Sequence, residues 1–222
     1  PDSNLDQAHN SRFGLSIFEI EQVIQDKELC SKIIQLHFHI GFEKTNVKDL
    51  ITSINSSIKL AKDLLPTVKI INIGGGVNNF SAQDFNDLFD FVKKVDFKII
   101  LEAGRYFFKN SSYAVGKVLS IRQRHESTHV LTNLSHESHL KWSWPTKFYV
   151  FSNSQSSQQA IDGKIKFYGQ TAFEDDCLLI TDLTTPLSIS SGDHVIFDNI
   201  SGYSVAWNHD FNGVGLAKVI LL

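Results

Sequence analysis

The apolar positions change their rhythm about halfway along the chain. Up to about Phe108, short continuous apolar runs alternate with apolar residues spaced three and four apart. Residues 33–40 (IIQLHFHI), 68–73 (VKIINI) and 97–101 (FKIIL) read as buried strands. Between the first two, Val47, Leu50, Ile51, Ile54, Ile58, Ala61 and Leu65 recur at helical steps and predict one long helix. Between the second and third, Ser81 with Asp84 three residues on makes an N-cap signature, and Phe85, Leu88, Phe89 and Val92 supply the apolar face. Upstream, residues 13–16 read as a short strand and 18–29 as a helix. Strand and helix alternating at this spacing imply βαβ units and a parallel sheet.

The second half has a different texture. Residues 115–121, 129–134, 147–151, 165–168, 178–182, 195–197 and 219–222 are short β-type runs separated by turns rich in Ser, Asn, Gly and Thr. Residues 152–159 (SNSQSSQQ) read as a loop. The expected fold class is α/β plus β: an α/β domain over residues 1–110 and a mostly antiparallel β domain over residues 111–222. Only three or four strand–helix units are visible, whereas a closed (β/α)₈ barrel takes about 250 residues. The first half is therefore part of a barrel, or a small open sheet.

Composition narrows the function classes. A hydrophobic fraction of 42% and a charged fraction of 20% are ordinary for a soluble globular protein. The 21 basic and 24 acidic residues leave a net charge of -3, which argues against a nucleic-acid partner. No apolar run approaches membrane-spanning length, and no signal peptide opens the chain. Two cysteines, Cys30 and Cys177, are too few for a disulfide framework, so a cytoplasmic location is expected. The sequence starts at Pro1 and holds no Met, so its 222 residues are taken as a lower bound on the natural chain.

In parallel α/β folds, functional groups gather at the C-terminal ends of strands. Three strands here end on unusual sequences: His37-Phe38-His39-Ile40-Gly41, Gly74-Gly75-Gly76 and Glu102-Ala103-Gly104-Arg105. Three glycines between a strand and a helix suit an anion nest for phosphate, or a plain tight turn. His39 either faces a cofactor or packs in the core. Glu102 is costly to bury unpaired, and Arg105 is either its partner or a phosphate ligand. No two-histidine metal site is expected from His37 and His39.

The order HFHIG, INIGGG, LEAGRYF, YGQT, SGY and FNG resembles the ornithine/diaminopimelate decarboxylase family, from about Ser11 to near the end of the chain. That family combines an alanine-racemase-like barrel with a C-terminal β domain and uses pyridoxal phosphate. Carried over by position, the resemblance implies that His39 stacks on the cofactor ring and Glu102 faces its pyridine nitrogen. It implies that Gly74, Gly75, Gly76, Arg105 and Tyr203 hold the phosphate, and that Thr171 and Asp176 lie near the substrate. His39, Glu102 and Asp176 are the implied catalytic residues. A homodimer with shared active sites is implied as well.

Departures accompany the match. The family's cofactor-bearing lysine belongs to a segment expected before Pro1, so this fragment is expected to be inactive alone. Lys117, in a superficially similar setting, reads as structural. Phe42 stands where a phosphate-contacting serine usually follows HIG. Ala172 stands where the family usually has a cysteine, Phe173 replaces an acidic neighbour, and Cys177 is too far along to substitute without a shifted loop. The stretch HESHL (136–140) either lines the same pocket or is a solvent-exposed loop. The leading expectation is a decarboxylase of a basic or diamino acid. The alternatives are a non-catalytic homologue with a binding or regulatory role, and an unrelated α/β phosphate- or sugar-binding protein.

Overall fold

The computed structural model describes residues 12–40, 46–152 and 159–221. The chain divides into two compact units on either side of the bond between Tyr106 and Phe107.

The first unit contains α1 (Ile17–Gln25), α2 (Lys27–Lys32), β1 (Gln35–His37), α3 (Val47–Leu64), β2 (Ile70–Asn72), α4 (Ala82–Val92) and β3 (Lys98–Ile100), and the division falls within α5 (Gly104–Phe108). The three strands form a parallel sheet in the order β1-β2-β3, with Gln35, Ile70 and Lys98 level at one end and His37, Asn72 and Ile100 level at the other. A parallel arrangement needs a crossover between successive strands, and α3 and α4 provide the two crossovers.

Local chemistry sets the ends of both helices. The Asn46 side chain accepts from the N–H groups of Lys48 and Asp49, capping α3. Val47, Leu50, Ile54, Ile58 and Ala61 then line its buried face at helical spacing. At α4, the Ser81 hydroxyl accepts from the Asp84 N–H while the Asp84 carboxylate accepts from the Ser81 N–H. The Ser81 hydroxyl and N–H together hold the Asp84 carboxyl below its usual value. Leu88 of α4 and Leu50 and Ile54 of α3 meet Ile71 and Ile73 in one core.

Two expectations upstream are corrected. Residues 13–16 are not a strand, because Gly14 turns the backbone at a φ of 81° and Ser16 is committed to a capping box with Glu19. The helix expected over 18–29 is two helices. Asp26 adopts an extended conformation between them, and its carboxylate caps the second through the Leu29 N–H.

The second unit holds β4 (Ser112–Arg124), β5 (Ser127–Thr132), β6 (Phe148–Phe151), β7 (Gln159–Ile161), β8 (Lys164–Tyr168), β9 (Cys177–Asp182), β10 (Leu187–Ile189), β11 (His194–Ile200) and α6 (Tyr203–Ala206). Six strands form one sheet in the order β6-β11-β4-β5-β8-β9, antiparallel except for β5 against β8, and β7 pairs with β10 separately. The thirteen-residue β4 joins the system. Ser112–Lys117 pair with β11 and Val118–Arg124 with β5, with a register shift between Val118 and Ser120. Phe167 is fully buried at its centre, with the Phe148 ring 4.6 Å away and the Phe197 ring 5.3 Å away. The strand expected over 219–222 is absent from the described residues there: Val219, Ile220 and Leu221 are exposed and pair with no neighbouring strand. The loop expected over 152–159 falls mostly outside the described residues, and its last residue begins β7. No described helix is long and apolar enough to cross a membrane.

Because Phe167 fills the space between two other rings, Phe167→Ala should lower stability by roughly 3–5 kcal/mol. Urea unfolding followed by far-UV circular dichroism measures that loss.

Candidate functional site

The level C-terminal ends of β1, β2 and β3 bring three strand exits side by side. The residue that joins them is Asn72, the last of β2, whose side chain is buried. Its amide nitrogen donates to Glu102 Oε1 at 2.7 Å, and its amide oxygen accepts from the Gly74 N–H at 2.9 Å. One buried side chain thus orients the Glu102 carboxylate and turns the chain into the glycines. The carboxylate itself is more than half exposed, and His37 Nδ1 lies 3.9 Å from the same Oε1.

His39 is fixed from the neighbouring strand. Its Nδ1 accepts from the Gly75 N–H at 3.2 Å, so in the neutral ring the proton sits on Nε2. The close approach requires glycine. A Cβ at Gly74, where φ is +60°, would stand 2.5 Å from His39 Nδ1 and 2.9 Å from the Phe38 carbonyl oxygen. A Cβ at Gly75 would stand 2.6 Å from the Glu102 carbonyl oxygen. His39, Gly74, Gly75 and Glu102 are therefore gathered at one end of one sheet. The N–H groups of Gly74 and Gly75 are donated to Asn72 and His39. Gly76, at a φ of 82°, has no hydrogen bond among the described residues. Arg105 follows on α5, partly buried. Phe42 lies outside the described residues.

Tyr203, Thr171 and Asp176 belong to the second unit. Asp176 is 1% exposed, and its carboxylate is saturated: Oδ1 accepts from the His136 N–H at 2.6 Å, and Oδ2 from the Thr171 N–H at 3.1 Å and hydroxyl at 2.5 Å. It ties the 171–176 loop to residue 136. Cys177 begins β9, where its thiol donates to the Phe167 carbonyl and burial pushes its pKa up. It is a strand residue and a weak nucleophile. Tyr203 opens α6 with its ring edge-on to Phe108 at 6.2 Å and its N–H on the Ser201 hydroxyl.

The HESHL stretch is not a solvent-exposed loop. Ser138 and His139 are buried, and His139 Nε2 lies 2.8 Å from the Gly215 carbonyl, to which it donates. Glu137 bridges His136 Nδ1 at 3.1 Å and Lys141 Nζ at 2.7 Å. The Lys141 hydrogen bond holds its carboxyl below the usual glutamate value, against the effect of burial and with help from His136. Sequence reasoning missed this triad and missed Asn72. The i, i+4 spacing of Glu137 and Lys141 was a usable signal for the first. A polar residue interrupting an apolar strand was the signal for the second.

Asp176→Ala should strand three donors and cost roughly 3 kcal/mol or more, read from chemical denaturation; an unchanged midpoint would refute the saturated geometry. A second outcome concerns pH. The lowered Glu137 pKa contributes stability that is present above its unfolded value and lost as pH falls through its folded value. The stability gap between the parent and Glu137→Gln should therefore close on acidification, as followed by thermal melts across the acid range.

No protein-family model matches the chain. It is 22% identical over 238 residues to a Dictyostelium discoideum protein named "Probable ornithine decarboxylase", an alignment that takes in 96% of this chain and 51% of that protein. The crystal structure of the Paramecium bursaria Chlorella virus arginine decarboxylase bound to agmatine superposes with a TM-score of 0.72 at 24% identity, over 92% of this chain and 59% of that one. The crystal structure of lysine decarboxylase from Selenomonas ruminantium does so with a TM-score of 0.74 at 18% identity, over 96% and 58%. The chain thus spans about half to three fifths of the proteins it matches. The resemblance read from the motif order, and the fold class of a partial barrel followed by a mostly antiparallel β domain, are borne out.

Proposed function

We propose that this chain is the C-terminal portion of a pyridoxal-phosphate-dependent decarboxylase acting on a basic or diamino acid. The observation that carries the reading is the Glu102 carboxylate, held by a buried amide beside an oriented His39 and glycines with no room for a Cβ. Those residues fit the cofactor chemically. An exposed, oriented carboxylate suits a protonated ring nitrogen, a histidine of fixed tautomer suits a flat aromatic partner, and the glycine turn leaves space for an anion. Bound pyridoxal phosphate supplies an electron sink for the pair of electrons left when a carboxylate departs as carbon dioxide.

The roles of the chain's own residues follow. Glu102 accepts a hydrogen bond from the pyridine N–H and keeps the proton on that nitrogen at neutral pH. Asn72 is its positioning residue. His39 stacks against the ring with Nδ1 committed to Gly75, which leaves its orientation independent of the ligand. For the phosphate, Gly76 offers a backbone N–H, and the resemblance adds Arg105, Tyr203 and the other two glycines. The N–H groups of Gly74 and Gly75 must exchange their present acceptors to take part. Asp176 acts through Thr171 and His136 by holding the 171–176 loop in shape near the substrate. Ala172 and Phe173 provide neither a thiol nor a carboxylate in that loop. The lysine that carries the cofactor, and a partner subunit completing each site, are part of the same reading.

Titration with pyridoxal phosphate, followed by its absorbance and by tryptophan fluorescence, tests the proposal. Saturable binding is expected, weakened about tenfold or more by Glu102→Gln through loss of a charge-assisted hydrogen bond. Asn72→Ala should produce a smaller loss in the same direction. Absence of saturable binding by a chain that includes the lysine-bearing segment would favour the non-catalytic homologue, which the departures at Ala172 and Phe42 already suit.

A further inference from the structure

The solvent side of the six-stranded sheet carries a charge pattern unrelated to the strand exits of the first unit. Across β4, β5 and β8, two adjacent rungs of side chains stand in register. In one, Arg122 is opposite His129 and His129 is opposite Lys166; in the other, Arg124 is opposite Ser127 and Ser127 is opposite Lys164. Alternation fixes the face, because Val130, Ile165 and Phe167 on the intervening positions are fully buried in the core. Residues two apart on a strand are about 7 Å apart, and β4 and β8 lie about 10 Å apart across β5. The four cations therefore mark the corners of a patch of about 7 by 10 Å.

None of these four cations has a carboxylate within ion-pair reach among the described residues, whereas Lys32, Lys93 and Lys141 each do. The acids at the margin include Asp182, opposite Lys164 on β9, Glu174, which acts on His129 from the 171–176 loop, Glu126 in the turn between Arg124 and Ser127, and Asp162, two residues before Lys164. None of them closes an ion pair with the four cations among the described residues. At its centre the buried Ser127 hydroxyl lies 3.1 Å from His129 Nε2, a small polar floor between the two pairs of cations. Burial, then Lys166 and Arg124, hold the His129 ring below its usual pKa. Like charges gathered on one sheet face without paired carboxylates repel, and a bound anion offsets that repulsion.

We propose that this face is a binding site for a ligand carrying two or three linked phosphoryl groups. Two arginines and two lysines around a hydroxyl and an imidazole match the charge of a polyphosphate, and its length lets it meet both rungs at once. Arginine adds paired contacts to phosphate oxygens, which a single carboxylate satisfies on one rung only. The assignment holds whether or not the chain binds pyridoxal phosphate, since it uses none of the residues placed at that cofactor.

Inorganic triphosphate is the probe, titrated into the intact chain by calorimetry and by NMR of the His129 ring, with citrate and orthophosphate alongside. One-to-one saturable binding is expected, with a His129 ring that titrates at higher pH when the probe is bound. Affinity should fall tenfold or more in the pair Arg122→Gln and Lys166→Gln, and likewise in Arg124→Gln and Lys164→Gln. It should hold in Lys59→Gln with Lys62→Gln, which removes the same charge from α3. Lys166→Arg should retain binding, and single Lys164→Glu provides a second reading if a double variant folds poorly. No saturation, or equal weakening by the α3 pair, would overturn the site. Citrate binding as tightly as triphosphate would overturn the phosphate assignment.

Discussion

The first unit depends on one buried amide. Asn72 ends the central strand of a three-stranded parallel sheet and uses both of its polar atoms, one on Glu102 and one on Gly74. A buried side-chain amide with an unmet hydrogen bond is costly, so its two partners are held as firmly as Asn72 is. That constraint sets the direction of a carboxylate that is otherwise exposed, and it starts the turn in which His39 and Gly75 meet. The glycines follow from it. Once the strand exits are drawn together, a Cβ at residue 74 or 75 has nowhere to go.

The second unit solves a comparable problem with a carboxylate. Asp176 is almost fully buried and reconciles that burial by accepting three hydrogen bonds from residues on two segments. The loop between Thr171 and Asp176 is thereby a rigid part of the β domain. Residues 141–143 and 201–204 are joined in a related way by serine hydroxyls, with Ser143 and Ser204 at 2.6 Å and Ser143 accepting from the Ser201 N–H. These buried polar ties run beside the rings of Trp142, Trp144 and Trp207, which pack edge to face. They shape the surroundings of Tyr203 and of the 171–176 loop, the two places in this unit where the decarboxylase resemblance puts ligand contacts.

The two units also handle charge differently. At the strand exits of the first unit, the Asn72 amide, the His39 ring and the N–H groups of Gly74 and Gly75 are each matched by a neighbour. On the outer face of the β4-β5-β8 sheet, cations stand at regular positions with acids only at the edge. Regular alternation makes this possible, because a strand that buries every second residue is free to present any chemistry on the other side. The charge pattern of that face is therefore independent of core packing.

Much of the fold was legible in residue order. Helical spacing from Val47 to Leu65, the Ser81–Asp84 cap and the three apolar runs specify the βαβ units, because periodicity and capping act within a few residues. The glycines, His39 and Glu102 were legible as a site, since strand ends in such folds collect functional groups. Other features needed the folded chain. The break at Asp26, the pairing of residues 159–161 with 187–189, and the absence of a strand at 219–221 turn on whether a cap or a pairing partner is present. Asn72 read as one polar residue in an apolar strand, and Asp176 as a residue near the substrate. Their roles arise because contacts 30 and 40 residues away along the chain are made only when the sheets assemble. Sequence alone thus determined the elements and the candidate chemistry. Tertiary structure decided which of those groups meet, because hydrogen-bond satisfaction of a buried polar group is a property of its neighbours in space.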